Sequence, residues 1–237
     1  MPRMSAKARA RKIKLLLLDV DGVMTDGHIF VLPAPGGVNA EPGAEAAGLA
    51  DAGGYAISSD TLIEAKGFHA HDGTAISLAR LGGLKTGIIT KRISETVALR
   101  ARDLRLDHVY QGVADKLTAL EEILAKEGLK PAQAAYVGDD IIDLPVMRRC
   151  GLAIAVPNAR KEVQAAAHYV TRHGGGKGAV RDAVEYILRA QGTLEKSVRA
   201  YLRRRSPAKS SPSKKSYAFR KERPAAGWEG SGPPFPG

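Results

Sequence analysis

Apolar residues gather in short runs that stop at polar side chains. Leu15 to Leu18 are four leucines in succession, closed by Asp19, with Asp21 two positions on and Gly22 behind it. A run this short, bounded by acids, reads as a strand buried on both faces whose carboxyl end opens into a crevice. His28 to Leu32 reads as a second strand. Tyr55 to Ser58 and Leu62 to Ala70 read as strands returning from it, so that 27–70 forms a β-hairpin excursion. Between them, residues 33–54 are rich in Gly, Ala and Pro and read as a flexible loop.

From Asp72 onward, helix and strand patterns alternate. Ala75 to Leu81 reads as a helix capped by Asp72 or Thr74, followed by a strand from Leu84 to Thr90. Ser94 opens a helix that runs to Leu104, and His108 to Tyr110 is a short strand. Lys116 to Lys126 is a helix ended by Gly128, with a turn at Pro131 to Gln133. Ala135 to Gly138 is a strand that ends in Asp139 and Asp140. Ile142 to Arg149, Arg160 to Ala167 and Ala179 to Ala190 read as helices, with strands at Leu152 to Val156 and Tyr169 to Val170. Such alternation predicts an α/β fold: a doubly wound, mostly parallel sheet with right-handed crossovers.

The totals divide this picture along the chain. Of the formal charge of +11, residues 1–14 hold six Lys or Arg and no acid, and residues 191–237 hold eleven against three acids. The stretch 15–190 is thus left at −3, and the basicity belongs to the two ends. Residues 1–12 read as a basic N-terminal extension that frays into the first strand, 13–195 as one α/β domain, and 202–237 as a disordered basic tail rich in Pro, Gly and Ser. Contact of that tail with nucleic acid or a membrane surface is the alternative to plain solvated charge. The single cysteine, Cys150, excludes an internal disulfide framework, and no apolar run approaches the ~18 residues of a membrane span. The expected location is the cytoplasm.

In a parallel sheet the strand ends face one way. Asp19, Asp21, Thr90 and Asp139 then share a pocket with Lys116, which begins a helix. Carboxylates at Asp19, Asp21 and Asp139 repel one another unless a cation sits among them, and hard oxygen ligands suit Mg²⁺. The lysine and threonine suit a phosphate. The reaction this set supports is phosphoryl transfer to a carboxylate, with Asp19 attacking phosphorus. Asp21 protonates the leaving alkoxide and then deprotonates the water that hydrolyses the aspartyl-phosphate. Gly174 to Gly176, followed by Lys177, reads either as a phosphate-cradling loop before a helix or as a plain linker.

DVDGVMTDG, the strand-terminal Thr90, Lys116 and YVGDDIIDLPVM resemble the four motifs of the haloacid dehalogenase superfamily of phosphatases. Together with FHAHDGTAI at 68–76 and YVTRHGGGKGAVRDAVEYIL at 169–188, they resemble more closely the 3-deoxy-D-manno-octulosonate 8-phosphate (KDO 8-phosphate) phosphatases, over 15–195. The resemblance implies a Rossmann-like sheet without a large cap domain, Asp19 as nucleophile and Asp21 as acid/base, with Thr90 and Lys116 holding phosphate. It implies Mg²⁺ held by the Asp19 carboxylate, the Asp21 carbonyl and Asp139, with Asp140 and Asp143 acting indirectly. It also implies a homotetramer in which hairpins pack together, a neighbour closes each site, and GGGKG lies near a neighbouring pocket. The implied substrate contacts are Asp21, His71, Asp72, Gly73, Lys91 and Arg92.

This chain departs from that pattern in three places. Thr90-Lys91-Arg92 stands where the family has Thr-Gly-Arg, and His71 and Ser77 stand where it often has arginines that bind the sugar-acid carboxylate. The alternatives left open are a phosphatase of another acidic sugar, such as a nonulosonate 9-phosphate, or a non-catalytic oligomerisation module that kept the fold.

Overall fold

The computed structural model describes residues 4–33, 55–56 and 62–205. The 33–54 loop (apart from Pro33) and the tail beyond Arg205 lie outside these residues. The sheet is built on β1 (Leu15–Leu18), whose four leucines are wholly buried. On one side of it lie β5 (Lys85–Ile89) and β7 (His108–Tyr110). On the other lie β8 (Ala134–Gly138), β9 (Leu152–Ala155) and β10 (Tyr169–Val170), giving the order β10-β9-β8-β1-β5-β7. All five pairings are parallel. The chain winds outward in one direction from β1 to β7 and in the other from β8 to β10. The reversal falls beside the carboxyl end of β1, where open α/β sheets bind ligands.

Helices cover both faces. α2 (Ala70–Leu81) packs against α7 (Ala179–Gln191) on one of them, and α4 (Lys116–Glu127) packs against α5 (Leu144–Arg149) on the other. In α7 the buried positions Ala179, Val180, Ala183, Val184, Ile187 and Leu188 repeat at helical spacing, which turns one apolar stripe to the core. The remaining helices are α1 (Ala6–Ala10), α3 (Glu95–Leu104), α6 (Lys161–Ala166) and α8 (Leu194–Arg205).

The hairpin excursion is present as β2 (Phe30–Pro33) paired antiparallel with β4 (Leu62–Ala65). A returning piece, β3 (Tyr55–Ala56), runs parallel to β6 (Arg92–Ile93) rather than joining that ribbon. Phe30, Val31, Leu32, Leu62 and Ile63 stand exposed on the β2–β4 ribbon.

Four local expectations change. The basic start does not fray from Ser5 on: Ser5 caps α1, Arg9 donates to the Gly151 carbonyl at 2.8 Å, and Ala10 is fully buried. The helix expected from Ala75 begins at Ala70, with His69 rather than Asp72 or Thr74 as its cap residue. Asp72 instead accepts the Arg181 amide of α7 at 2.8 Å and ties the two helices together. The stretch expected as one helix from Ile142 opens as a 3₁₀ turn over Ile141–Asp143, bracketed by reciprocal Asp140 and Asp143 side-chain bonds. The α-helix α5 follows, with Pro145 in its first turn, where a missing N–H costs nothing. Finally, α8 follows α7 and continues to Arg205, so that residues 202–205, expected to open the disordered tail, are helical. Its arginines mask a stripe of Leu194, Val198 and Tyr201 that packs on the core.

Candidate active site

The carboxyl end of β1 delivers Asp19 into a cleft of about 200 Å³. Its amide donates to the Val137 carbonyl at 2.9 Å, which continues the β1–β8 ladder one residue past the strand and fixes the backbone. The Asp19 Oδ1 accepts the Val20 amide at 2.7 Å and lies 2.9 Å from the Lys116 Nζ. Lys116 is the first residue of α4, set there by the Asp115 cap, and its side chain is buried. A buried ammonium requires counter-charge. Lys116 has Asp19 on one side and the Asp143 Oδ1 at 2.7 Å on the other, with the Tyr136 hydroxyl at 3.3 Å.

Asp143 is itself fully buried and fully committed. Its Oδ1 accepts Lys116 and, at 2.8 Å, the Tyr136 hydroxyl. Its Oδ2 accepts the amides of Asp139 and Asp140 at 3.0 and 3.2 Å. Asp143 therefore holds the end of β8 and the ammonium in one register. Lys116, Tyr136 and Asp139 depend on it together.

The charges do not balance. A carboxylate oxygen from each of Asp19, Asp139 and Asp143 lies within 4.8 Å of the others, against one ammonium. Burial pushes the Asp139 carboxyl up to about 8, with the charges of Asp19 and Asp143 adding to the effect. Burial likewise pushes Asp19 up to about 7, with Lys116 opposing. For Lys116 burial works against the charge, and the two aspartates more than offset it, so its pKa is raised. The Asp139 Oδ1 is buried without a hydrogen-bond partner. This donor set of hard oxygens, an orphan lone pair and excess negative charge fits a divalent cation of the magnesium class. Asp19 and Asp139 are the carboxylates with capacity for it, since Asp143 has none left.

Gly22 makes the closeness possible. It has φ of +88°, and a Cβ there would lie 2.2 Å from the Asp139 Oδ2. The Asp21–Gly22 backbone thus passes directly against Asp139. The Asp21 carboxylate is held by Lys66 on one oxygen and by the Arg92 Nε at 3.4 Å on the other. Thr90, at the end of β5, is buried at the cleft wall, with its amide on the Tyr110 carbonyl at 2.9 Å.

The cleft therefore brings together Asp19, Asp21, Thr90, Lys91, Arg92, Lys116 and Asp139. His71, Asp72 and Gly73 do not line it. They sit in the first turn of α2, where His71 is exposed against His69 and the Gly73 Cα faces the Arg100 side chain. Asp72 points inward and is 4% exposed, so within one chain it contacts no ligand in the cleft. The glycine run does not cradle an anion in this chain. A Cβ on Gly175 would lie 1.8 Å from the Gly22 carbonyl oxygen, and the Gly176 amide donates to the Val23 carbonyl at 3.1 Å. Asn158 completes the brace, donating to the Gly22 carbonyl at 2.9 Å and accepting the Gly175 amide at 2.7 Å. Tyr136, Asn158, Glu64 and Lys66 were absent from the sequence-derived set. For Lys66 the available signal was its spacing of two from Glu64 at a strand end, which puts both on one side.

A family model described as haloacid dehalogenase-like hydrolase matches residues 89–183. The chain is 38% identical over 190 residues to the 3-deoxy-D-manno-octulosonate 8-phosphate phosphatase KdsC of Escherichia coli K12, covering 80% of this chain and 87% of that protein. It is 40% identical over 187 residues to KdsC of Yersinia pestis, covering 79% and 86%. Among solved structures it is similar to the same phosphatase from Moraxella catarrhalis in complex with magnesium ion, phosphate ion and KDO. That match has a TM-score of 0.68 and 33% identity, over 83% of this chain and 97% of that one.

Two measurements check this geometry. Because the folded state raises the Asp19 and Asp139 carboxyls above their unfolded values, it binds more protons than the unfolded state between pH ~4 and ~8. Stability without divalent cation should fall as pH rises through that window. Saturating Mg²⁺ should raise the Tm more at pH 8 than at pH 5.5, and Asp139→Asn should abolish most of that difference, as read by differential scanning fluorimetry. Gly175→Ala forces its methyl into the Gly22 carbonyl and should cost about 1–3 kcal/mol in denaturant unfolding, together with a loss of activity.

Proposed function

The chain belongs to the 3-deoxy-D-manno-octulosonate 8-phosphate phosphatase family of haloacid dehalogenase-like hydrolases, and from that premise we propose that it hydrolyses KDO 8-phosphate to KDO and phosphate. The observation that carries the reading is the Lys116 ammonium held between Asp19 and Asp143 beside the under-coordinated Asp139, all in one strand-end cleft.

In this mechanism the phosphate enters between Thr90, which offers a hydrogen bond, and Lys116, which offers charge. The Asp19 carboxylate attacks phosphorus in line as the ester P–O bond breaks, giving an aspartyl-phosphate. Asp21 gives its proton to the departing alkoxide oxygen. The same carboxylate then takes a proton from water as that water attacks the phosphorus, which releases phosphate and restores Asp19. The Asp19 and Asp139 carboxylates and the Asp21 carbonyl would hold Mg²⁺, which when bound supplies positive charge to the phosphoryl oxygens. Lys91 and Arg92 line the mouth and add charge for an anionic sugar. His71, Asp72 and Gly73 enter this reading only through a neighbouring subunit or through the shape of the α2 start. A neutral sugar phosphate gains less from this cationic rim than a sugar acid does, which favours the acidic substrate over neutral ones.

Assembly as a homotetramer is part of the proposal. The exposed apolar ribbon of Phe30, Val31, Leu32, Leu62 and Ile63 supports it, since a contiguous apolar face on a soluble chain marks a contact site. A cytoplasmic setting is supported by the lone, buried Cys150. Among the described residues no helix is long and apolar enough to cross a membrane.

Asp19→Asn should lower phosphate release from KDO 8-phosphate at least about 10³-fold while leaving the circular dichroism spectrum and Tm close to those of the wild type, given the loss expected when a nucleophile is removed. Retained turnover would remove Asp19 from the reaction. Leu32→Asp combined with Ile63→Asp should convert the tetramer to smaller species in size-exclusion light scattering, and an unchanged mass would place the interface elsewhere.

A further inference from the structure

We infer that Lys66, carried into the cleft by the β2–β4 ribbon, is a positioning residue for Asp21, and that the ribbon is therefore part of the catalytic apparatus. This rests on the proposal above that Asp21 is the acid that protonates the leaving alkoxide.

The two oxygens of Asp21 are held by cations from different elements. Lys66 takes Oδ1, and the Arg92 Nε approaches Oδ2 at 3.4 Å. The Lys66 side chain is entirely buried, although the residue stands one position past the end of β4 on a largely exposed ribbon. A wholly buried ammonium persists only with counter-charge. Asp21 supplies it, together with the Glu64 Oε1 at 3.6 Å. Glu64 is fixed in turn: its Oε1 accepts the Ser94 hydroxyl at 2.5 Å, and its carbonyl accepts the Thr96 hydroxyl at 3.1 Å. Ser94 is the cap of α3, so the base of the ribbon is fastened to the core domain on one side and grips Asp21 on the other.

An aspartate carboxylate rotates freely about its last torsion unless something holds it. Proton delivery requires it within hydrogen-bond reach of one ester oxygen, and small displacements there are costly in rate. Asp21 follows two residues after the strand, and it lacks the backbone pinning that the Val137 ladder bond and the Val20 amide give Asp19. Its orientation is set from the side, by Lys66 and Arg92. Removing the ammonium leaves Oδ1 without its cation and the carboxylate anchored at one oxygen only.

The leaving group separates this role from a general structural one. An alkoxide departs only with a proton, whereas p-nitrophenolate departs without one. In the full-length protein with Mg²⁺, Lys66→Met should lower the single-turnover rate of KDO release from KDO 8-phosphate on the order of 10²-fold, the worth of a positioned general acid. It should leave the single-turnover release of p-nitrophenolate nearly unchanged, a rate that excludes the later hydrolysis of the aspartyl-phosphate, which needs Asp21 with either substrate. Lys66→Arg should retain most of the alkyl-phosphate rate. Asp21→Asn, run in parallel, should show the same selective loss. Equal loss on both substrates, or loss on neither, overturns the Lys66 assignment. Should Lys66→Met fold poorly by thermal melting, Lys66→Gln is measured against the same ratio. If Asp21→Asn discriminates between the leaving groups and neither Lys66 variant does, Lys66 alone is misassigned. If Asp21→Asn fails to discriminate, the acid role of Asp21 falls, and the positioning role with it.

Discussion

One buried ion cluster governs the rest: the Lys116 ammonium between Asp19 at 2.9 Å and Asp143 at 2.7 Å. Charges this deep are tolerated only when paired and hydrogen-bonded, and here the pairing spans three separate elements, β1, α4 and the turn after β8. Each arrives by a different route. Asp19 is placed by the last rungs of the central strand, Lys116 by a capped helix start, and Asp143 by a 3₁₀ turn that folds back on its own strand end. Tyr136, wholly buried in β8, completes the cluster by donating to Asp143. Truncating Lys116 leaves the buried Asp19 and Asp143 carboxylates without counter-charge, which is why the polar core of the site is also a structural core.

What the cluster leaves unbalanced is the source of its chemistry. One ammonium faces three carboxylates, and Asp139 keeps a buried oxygen with no protein partner. The fold does not neutralise this excess by adding a second lysine. It brings the Gly22 backbone against Asp139 and braces that backbone from behind with Asn158 and the glycine run, so that the acids cannot spread apart. A cavity built this way favours a divalent cation and, beyond it, a dianionic phosphate. The second carboxylate, Asp21, belongs electrostatically to another neighbourhood, gripped by Lys66 and Arg92 rather than by Lys116. Two aspartates separated by one residue thus sit in unlike surroundings, the condition under which one can be nucleophile and the other acid and base.

The sheet and the strand-end residues were legible because they rest on local rules. Four leucines closed by an acid read as a central buried strand, and alternation of helix and strand implied parallel ends that bring Asp19, Thr90, Lys116 and Asp139 to one side. The supporting residues were harder to read because their partners are distant in sequence. Lys66 meets Asp21 across 45 positions and Asn158 meets Gly22 across 136, and no local pattern identifies either partner. The glycine run at 174–176 has the composition of an anion-binding loop, and only its packing on the Gly22 carbonyl shows that the glycines serve backbone approach. Asp72 misled for a related reason: a carboxylate near a helix start reads as a cap, whereas here it reaches across to the first turn of α7. In α8, basic residues concealed the three-residue apolar stripe that docks it.

The central claim is that Asp19 takes the phosphoryl group within a cup formed by acids from separate strand ends. Borohydride reduction of the enzyme quenched during turnover of KDO 8-phosphate tests it most directly, since it converts an acyl phosphate to an alcohol that peptide mass spectrometry locates. Reduction should be found at Asp19 and be missing when substrate is omitted. Reduction at another carboxylate, or at none while turnover proceeds, would contradict it.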